Sequence, residues 1–462
     1  MGLPLAILLV LYLVLLITPI KLPFSGDTVR GVVQSMLPPT SRLEMGDLAI
    51  AVENGVWPVI RFSPVVLSDT LSGSRIAMDA LEVGFSPVRA LMGQPGASIT
   101  VVGPHLQLVQ DLHGPRLARM EIVEDPQGGV PTLRVLEGEQ AYSPVGIRTE
   151  GLAMGGDGTK LRSDNDWLVY NLEATEVALD DFVELTSQGR FSKLVVRDAT
   201  IDMTDSVYGL YRRFEDVALE IGPSADGKQT TGEFSAVIGG RAVTGTIDRI
   251  VEDDGTSRLK VDALNLDFAA MLPFIDDATS MAAMRGAGAL SIDIGFEPAG
   301  GKLVDGTFRV DLTGIDLRIG KDYFPVASSI MEIDWQPDLG QFRLSDSAIQ
   351  IGQSAARISG IFAMGLDETF GPTIGISLRA TDVELHPNDM AAPEEPFDTM
   401  DFSGWSAPLY GAVGIDRFVA KKGDAVIETT GRMDLLQTGL GVEMTVAGKG
   451  VSADDIKRIW PY

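Results

Sequence analysis

Gly222–Gln229 reads GPSADGKQ, one residue type away from a phosphate-binding loop. In such a loop backbone N–H groups cradle phosphates, the lysine reaches the outer ones, and a following Ser or Thr holds magnesium. Gln229 stands at the magnesium position and strand-like residues follow, so a hairpin turn is expected instead. The three histidines are His105, His113 and His386, with no His-Glu-x-x-His spacing for zinc and no Gly-x-Ser-x-Gly elbow for a nucleophile. Asp164–Asp166 and Asp253-Asp254 could attract a cation, but neither has an EF-hand layout and turn chemistry accounts for both. A glycosidase would need two carboxylates converging in one cleft, which acidic content permits and spacing does not identify. Trp57, Trp167, Trp335, Trp405 and Trp460 are scattered, as core or strand-edge packing would leave them. These residues imply no catalytic centre, no metal and no cofactor.

The elements that would carry any site follow from the bulk numbers. The chain has 462 residues, 45% of them hydrophobic, which exceeds one compact core and points to several modules or one elongated architecture. Aromatic residues are 7% while Gly numbers 51, a mixture suited to many short strands joined by tight turns. The formal charge of −27 would repel a polyanion, so nucleic acid is excluded as a partner. Cysteine is absent, which removes disulfides, thiolate metal sites and cysteine nucleophiles together.

From Leu43 onward apolar and polar residues alternate with period two, as half-buried strands require. Ser98–Asp111, Lys193–Thr204, Thr307–Asp316 and Thr373–Ala380 each read this way. Asn54-Gly55, Asp157-Gly158, Asp226-Gly227, Asp254-Gly255 and Asp305-Gly306 supply hairpin turns, which make neighbouring strands antiparallel. Helices are expected to be few and short: Asp267–Leu272, stopped by Pro273, and a segment after Ser452, where Ser452 and Asp455 match a capping box. Thr244–Pro273 and Thr430–Pro461 share one order, from Thr-Gly through a turn and two strands to a short helix and Pro, and Ser359–Leu385 resembles its first part. Repetition at this scale indicates stacked β modules.

A sheet with one apolar face must cover it. Ile99, Val101, Leu106, Leu108, Leu194, Val196, Ile201, Met203, Ile292, Ile294, Ile376 and Leu378 share such faces by parity. They fit the interior of a packed sandwich and equally the lining of an open trough for lipid chains.

Leu3–Ile20 is uncharged, and its 18 residues would span about 27 Å as a helix, close to a bilayer's hydrocarbon thickness. Leu5, Leu8, Leu9, Leu11, Leu13, Leu15 and Leu16 supply its apolar surface. It lacks the basic start and small-x-small cleavage site of a signal peptide, so a retained transmembrane anchor is expected. The basic residues Lys21, Arg30 and Arg42 follow the span, which by charge alone would place the remainder on the cytoplasmic side. Asp27 caps a possible amphipathic stretch carrying Val29, Val32, Val33, Met36 and Leu37. The expected organisation is an anchor at 1–21, an amphipathic helix or linker at 22–42, and β modules at 43–135, 136–280 and 281–386. An acidic Pro-rich loop at 387–403 and the start of a fourth module at 404–462 complete it.

Three segments resemble the AsmA-like family of bacterial envelope proteins, of TamB/YhdP type. Val102–Gly114, VGPHLQLVQDLHG, is similar to the family's Gly-Pro-x-Leu-x-Leu-x-x-Asp strand. Leu194–Ile221, LVVRDATIDMTDSVYGLYRRFEDVALEI, is similar to its strand–turn–strand unit ending in Phe-x-Asp-Val. Ile456–Tyr462, IKRIWPY, resembles the entry to a Trp-Pro motif that continues into further β modules. The resemblance implies an N-terminal portion of a protein held in the inner membrane by one helix, with its bulk in the periplasm. It implies an elongated, curled antiparallel sheet forming an open groove that conducts phospholipid, or another acyl-chain lipid, toward the outer membrane. It also reverses the orientation that charge alone suggests. The alternatives are a non-catalytic envelope scaffold that binds other envelope proteins by strand addition and an acidic envelope hydrolase.

Overall fold

Alternating residues build strands along almost the whole described chain. This computed structural model describes 20–21, 34, most of 40–123, 132–135, 166–187 and most of 192–459. The first strands are β1 (Ile20–Lys21), β2 (Ser41–Ala51), β3 (Val59–Asp69), β4 (Arg75–Met78), β5 (Ala80–Phe85), β6 (Ala97–Val102), β7 (His105–Asp111) and β8 (Gly114–Leu117). After β9 (Met120–Val123) and β10 (Thr132–Val135) comes helix α1 (Asp166–Ser187). Next are β11 (Leu194–Asp205), β12 (Leu210–Pro223), β13 (Gln229–Ile238), β14 (Arg241–Val251), β15 (Ser257–Leu266), β16 (Met284–Arg285), β17 (Gly288–Phe296), β18 (Leu303–Asp311) and β19 (Asp316–Ile319). The series ends with β20 (Asp322–Gln336), β21 (Gln341–Ile351), β22 (Ser354–Asp367), β23 (Gly371–Glu384), β24 (Phe397–Ala407), β25 (Ala412–Lys422), β26 (Ala425–Leu436), β27 (Gly439–Lys449) and helix α2 (Ala453–Ile459). Residues 1–142 with 175–252 form one unit, and 143–174 with 253–462 form a second.

The expected β class holds, but the sheet is mixed rather than purely antiparallel. In the first unit β11 runs parallel to β6, with Leu194 beside Ile99 and Val196 beside Val101. It continues parallel to β7, with Ile201 beside Leu106 and Met203 beside Leu108. Parallel neighbours need a long crossover, usually through a helix, and the chain between β8 and β11 contains the 22-residue α1. Period-two alternation carries no information on strand direction, so hairpin turns alone suggested antiparallel order. Ser98–Asp111, expected as one strand, is two strands broken at Gly103 (φ 61°) and Pro104.

The second unit is an antiparallel meander from β15 through β17, β18 and β20 to β27. The short β19 pairs with β16 and β20. In this unit Leu303 N–H donates to the Glu173 carboxylate at 3.0 Å.

Four bends share one device. Asp198, Asp216, Asn265 and Asp382 have positive φ, and each falls where a strand register shifts. Asp and Asn tolerate this backbone better than other non-glycine residues, and a bulge with one extra residue sharpens the twist.

Several local expectations are met. The segment Gly222–Gln229, apart from Ala225 and Asp226, which lie outside the described residues, joins β12 to β13: Ser224 N–H donates to Gln229 O at 2.6 Å, and β13 follows in place of a helix. At α2 the Ser452 hydroxyl accepts from Asp455 N–H at 3.1 Å, while the Asp455 carboxylate accepts from Ser452 N–H at 3.3 Å. Asp254 closes its turn by accepting from Thr256 N–H at 2.9 Å.

Others are corrected. Asp305-Gly306 lies inside β18 and makes no turn. A Cβ on Gly306 would stand 3.1 Å from the Trp335 ring, so the glycine makes room for an indole on the next strand. Thr307–Asp316 is the end of β18, a turn and the start of β19. The helices are not all short, since α1 is a long one that period-two reading passed over. The expected amphipathic helix or linker at 22–42 includes a helical Gln34, and its last two residues, Ser41 and Arg42, belong to β2. The Gln34 side chain accepts from Leu43 N–H at 2.9 Å and donates to Ser41 O at 2.5 Å, which ties it to the edge of β2.

The anchor residues Leu5 to Leu16, the apolar residues Val29, Val32, Val33, Met36 and Leu37, and Asn54-Gly55, Asp157-Gly158, Asp164, Trp57, His113 and Trp460 lie outside the described residues. Of the proposed span only Ile20 is described, paired with Ile50 in β1–β2. Among the described residues no helix is long and apolar enough to cross a membrane.

Candidate functional site: the apolar sheet face

Residues paired in register on neighbouring strands lie on the same side of a sheet. In the first unit one such row runs Leu48, Phe62, Leu81, Val101, Val196, Leu219, Phe234 and Gly245 from β2 to β14. A second row beside it runs Ile50, Ile60, Val83, Ile99, Leu194, Ile221, Gly232 and Ile247. Every member is apolar or glycine, and the parallel seam interrupts neither row.

The second unit repeats the pattern. Leu259, Ile294, Gly306, Trp335, Phe342, Phe362, Ile376, Gly404, Ile415, Gly431 and Met444 follow one another from β15 to β27. Alongside run Val261, Ile292, Phe308, Ile333, Leu344, Gly360, Leu378, Phe402, Phe418, Thr429 and Val446. Trp335 stacks on Phe342 with centroids 5.7 Å apart and rings 7° from parallel, and Phe308 tilts against both.

Eight of the twelve residues expected to line a face belong to these rows; Leu106, Leu108, Ile201 and Met203 lie outside them, and Met203 is paired with Arg212 of β12. Leu194, Val196, Ile201 and Met203 stand directly beside Ile99, Val101, Leu106 and Leu108. Ile292 with Ile294 and Ile376 with Leu378 occupy the two rows of the second unit. Ile294 is fully buried, whereas the other eleven are half-buried. Ile60 remains 41% exposed, which places water-accessible apolar surface within the row itself.

The opposite face is polar and paired. In the first unit Arg61, Glu82 and Thr100 occupy successive strands, with Glu82 held 3.8 Å from both Arg61 and Arg197. In the second unit Arg258–Asp293 (2.8 Å), Arg309–Glu332 (3.2 Å) and Arg379–Asp401 (2.7 Å) bridge neighbouring strands.

One cluster on the polar face joins three strands. Asp202 accepts from the Tyr211 hydroxyl at 2.5 Å and meets His105 Nε2 at 2.6 Å, with Arg213 at 3.8 Å. Burial pushes the Asp202 carboxyl upward, but hydrogen bonds from Tyr211 and His105 outweigh it and hold the group below the usual carboxylate range. The hydrogen bond to Asp202 in turn raises the Tyr211 phenol. The cluster ties β7, β11 and β12 together and acts as a clamp across the parallel seam.

His386 N–H donates to the Ser354 hydroxyl at 3.0 Å. Among the described residues no three His, Cys, Asp or Glu side chains converge as metal ligands.

Among the described residues three features close parts of the apolar faces. In the first unit Leu43, Met45, Phe62 and Val65 form a buried cluster against which Leu48, Leu81 and Val83 of the rows pack. In the second unit Val383, Phe397, Ala420 and Ile427 form a buried cluster, and Ile459 of α2 packs against it. In the first unit Thr230 and Arg249, paired between β13 and β14, extend the apolar side beyond Gly232 and Ile247. There the Arg249 guanidinium meets Glu176 of α1, with Nε 3.0 and 2.9 Å from the two carboxylate oxygens, and also bonds Asp180. Sequence reasoning missed this ion pair. Its one visible signal was Glu176 and Asp180 four residues apart among apolar positions, which places both on one helix face.

No protein-family model, characterised protein or solved structure matches the chain.

Proposed function

We propose that this chain is an inner-membrane-anchored periplasmic protein of AsmA-like type that moves phospholipid toward the outer membrane along an apolar β groove. The observation that carries this reading is the pair of apolar rows in each unit, broken in the second unit only at Thr429, with most members half-buried rather than sealed in a core. A sandwich of this size would bury such residues almost completely. An open face instead offers acyl chains an environment equivalent to a bilayer interior, so each chain advances without crossing water. Each further strand lengthens the path by about 4.8 Å. Direction would come from a partner or a concentration difference, since GPSADGKQ leads into strand β13 rather than the helix a phosphate-binding loop requires.

In this reading Leu3–Ile20 is the anchor, placed by sequence alone, and the β modules curl into the groove wall. The second reading, strand addition to another envelope protein, is favoured by β27. Among the described residues it pairs with β26 alone, and it exposes Val442 and Val446 at 47% and 60%. An edge strand of this kind is a template for a partner strand.

The test is lipid capture by the full chain in membranes carrying a photoactivatable phospholipid. Ile201→Asp with Ile376→Asp places a carboxylate on each apolar face. Capture should fall severely while far-UV circular dichroism still reports the β fold. Unchanged capture by the folded double variant would refute the conduit.

A further inference from the structure

Arg249 is the anomaly of the first unit's apolar side. It is 2% exposed, and its cross-strand neighbour Thr230 is fully buried with a hydroxyl that has no hydrogen-bond partner among the described residues. The row next to this pair is Ile221, Gly232 and Ile247. Arg249 is neutralised by Glu176 and Asp180, which α1 brings onto the sheet face, while Val183 of α1 comes within 3.6 Å of where a Cβ on Gly227 would stand.

A buried ion pair is a poor way to fasten a helix to an apolar face, because desolvating two charges offsets most of their attraction. Apolar residues would hold α1 at least as well. A guanidinium fork is, however, the preferred partner of both carboxylate and phosphate. The Glu176 and Asp180 carboxylates engage Arg249 and still leave the Thr230 hydroxyl unsatisfied. A phosphodiester is tetrahedral, so while two non-bridging oxygens meet the fork an ester oxygen points out of their plane, where a hydroxyl donor could reach it.

We propose that Arg249 and Thr230 form a binding site for the phosphate of a lipid headgroup, closed in this structure by the Glu176 and Asp180 carboxylates of α1 acting in the ligand's place. The helix is thus a latch: an arriving headgroup exchanges with its carboxylates at Arg249, and the acyl chains lie along Ile221, Gly232 and Ile247. This inference rests on the proposed lipid-conduit function. Burial lowers the proton affinity of Arg249, but the two carboxylates outweigh it, so the arginine stays charged whichever anion it holds.

The experiment uses the full chain in vesicles containing a photoactivatable phosphatidylglycerol, with adducts mapped separately to β12–β14 and to β23. Glu176→Gln with Asp180→Asn should raise capture at β12–β14 about fivefold or more, and adding Arg249→Met should reverse the gain. The chain has no cysteine, so Val183→Cys with Gly227→Cys can pin α1 by oxidation with every charge native. Capture at β12–β14 should fall in the oxidised form and return on reduction. This second pair decides the matter should the charge variant fail to fold. Equal capture in oxidised and reduced forms, or no gain in a folded Glu176→Gln/Asp180→Asn variant, overturns the latch. Inorganic phosphate alone should not displace α1; if it does, the lipid assignment is overturned in favour of free phosphate. Adducts at β23 with an unresponsive β12–β14 sink only the latch, whereas no adducts anywhere sink the conduit and the latch together.

Discussion

Val196 of β11 lies in parallel register beside Val101 of β6, and that contact keeps an apolar row continuous from Leu48 to Phe234. The seam is fixed by backbone bonds on both sides of the Gly103-Pro104 break. Gly103 N–H donates to Arg197 O and Thr200 N–H to Pro104 O, each at 2.9 Å. Beside it, His105, Asp202 and Tyr211 clamp the polar face.

The clamp predicts an acid-side dependence of stability. The folded Asp202 carboxyl titrates below its unfolded value near 3.9. Its contribution is therefore present above the unfolded value and is lost as pH falls through the folded one. Asp202→Asn should flatten that part of the profile, read as urea midpoints between about pH 2 and 6. On the alkaline side Tyr211 titrates above its unfolded value near 10. Its contribution is lost as pH rises through the folded value, and Tyr211→Phe should remove that decline.

The positive-φ bends give a second prediction. Asp198→Val and Asp216→Val place a β-branched residue where φ is 53° and 48°, and each should cost about 1–3 kcal/mol in denaturant unfolding. Asp→Gly at the same sites should be close to neutral, because glycine adopts this backbone without strain. Equal loss from both substitutions would assign the effect to the carboxylate instead.

Trp335 and Gly306 should behave as a coupled pair. Trp335→Ala removes a buried ring stacked on Phe342 and should cost about 3–5 kcal/mol. Gly306→Ala narrows the space for the same ring and should cost less in the Trp335→Ala background than in the native chain, as a double-mutant cycle by thermal unfolding would show.

At the other end of the second unit, Asp455→Ala removes the α2 capping box and the 3.0 Å ion pair with Lys422. A loss of about 1–2 kcal/mol is expected. Faster protease cleavage near Ile459 should accompany it as α2 leaves the Val383–Ile427 cluster.

Period two exposed the strands and the side each of the twelve candidate residues takes, because alternation encodes which side a residue takes. The Ser452–Asp455 box was equally legible, being local. Strand direction at the seam was not, since it depends on a crossover through α1 that leaves no mark on β6 or β11. The helix was hidden because Glu176 and Asp180 interrupt its apolar stripe, and their partner Arg249 is distant in the chain. Asp305-Gly306 resembles a turn dipeptide, but the demand for a glycine comes from Trp335 on another strand. Phe214–Val217 stood out as a motif, and Asp216 within it marks a bulge.

The central claim is tested most directly by scanning β23 with a photocrosslinking residue in membranes. Ile374, Ile376 and Leu378 share the apolar face, while Ser377 and Arg379 lie on the other. A lipid-lined groove gives phospholipid adducts at 374, 376 and 378 and none at 377 or 379. Adducts without alternation, or none at the three apolar positions, would contradict it.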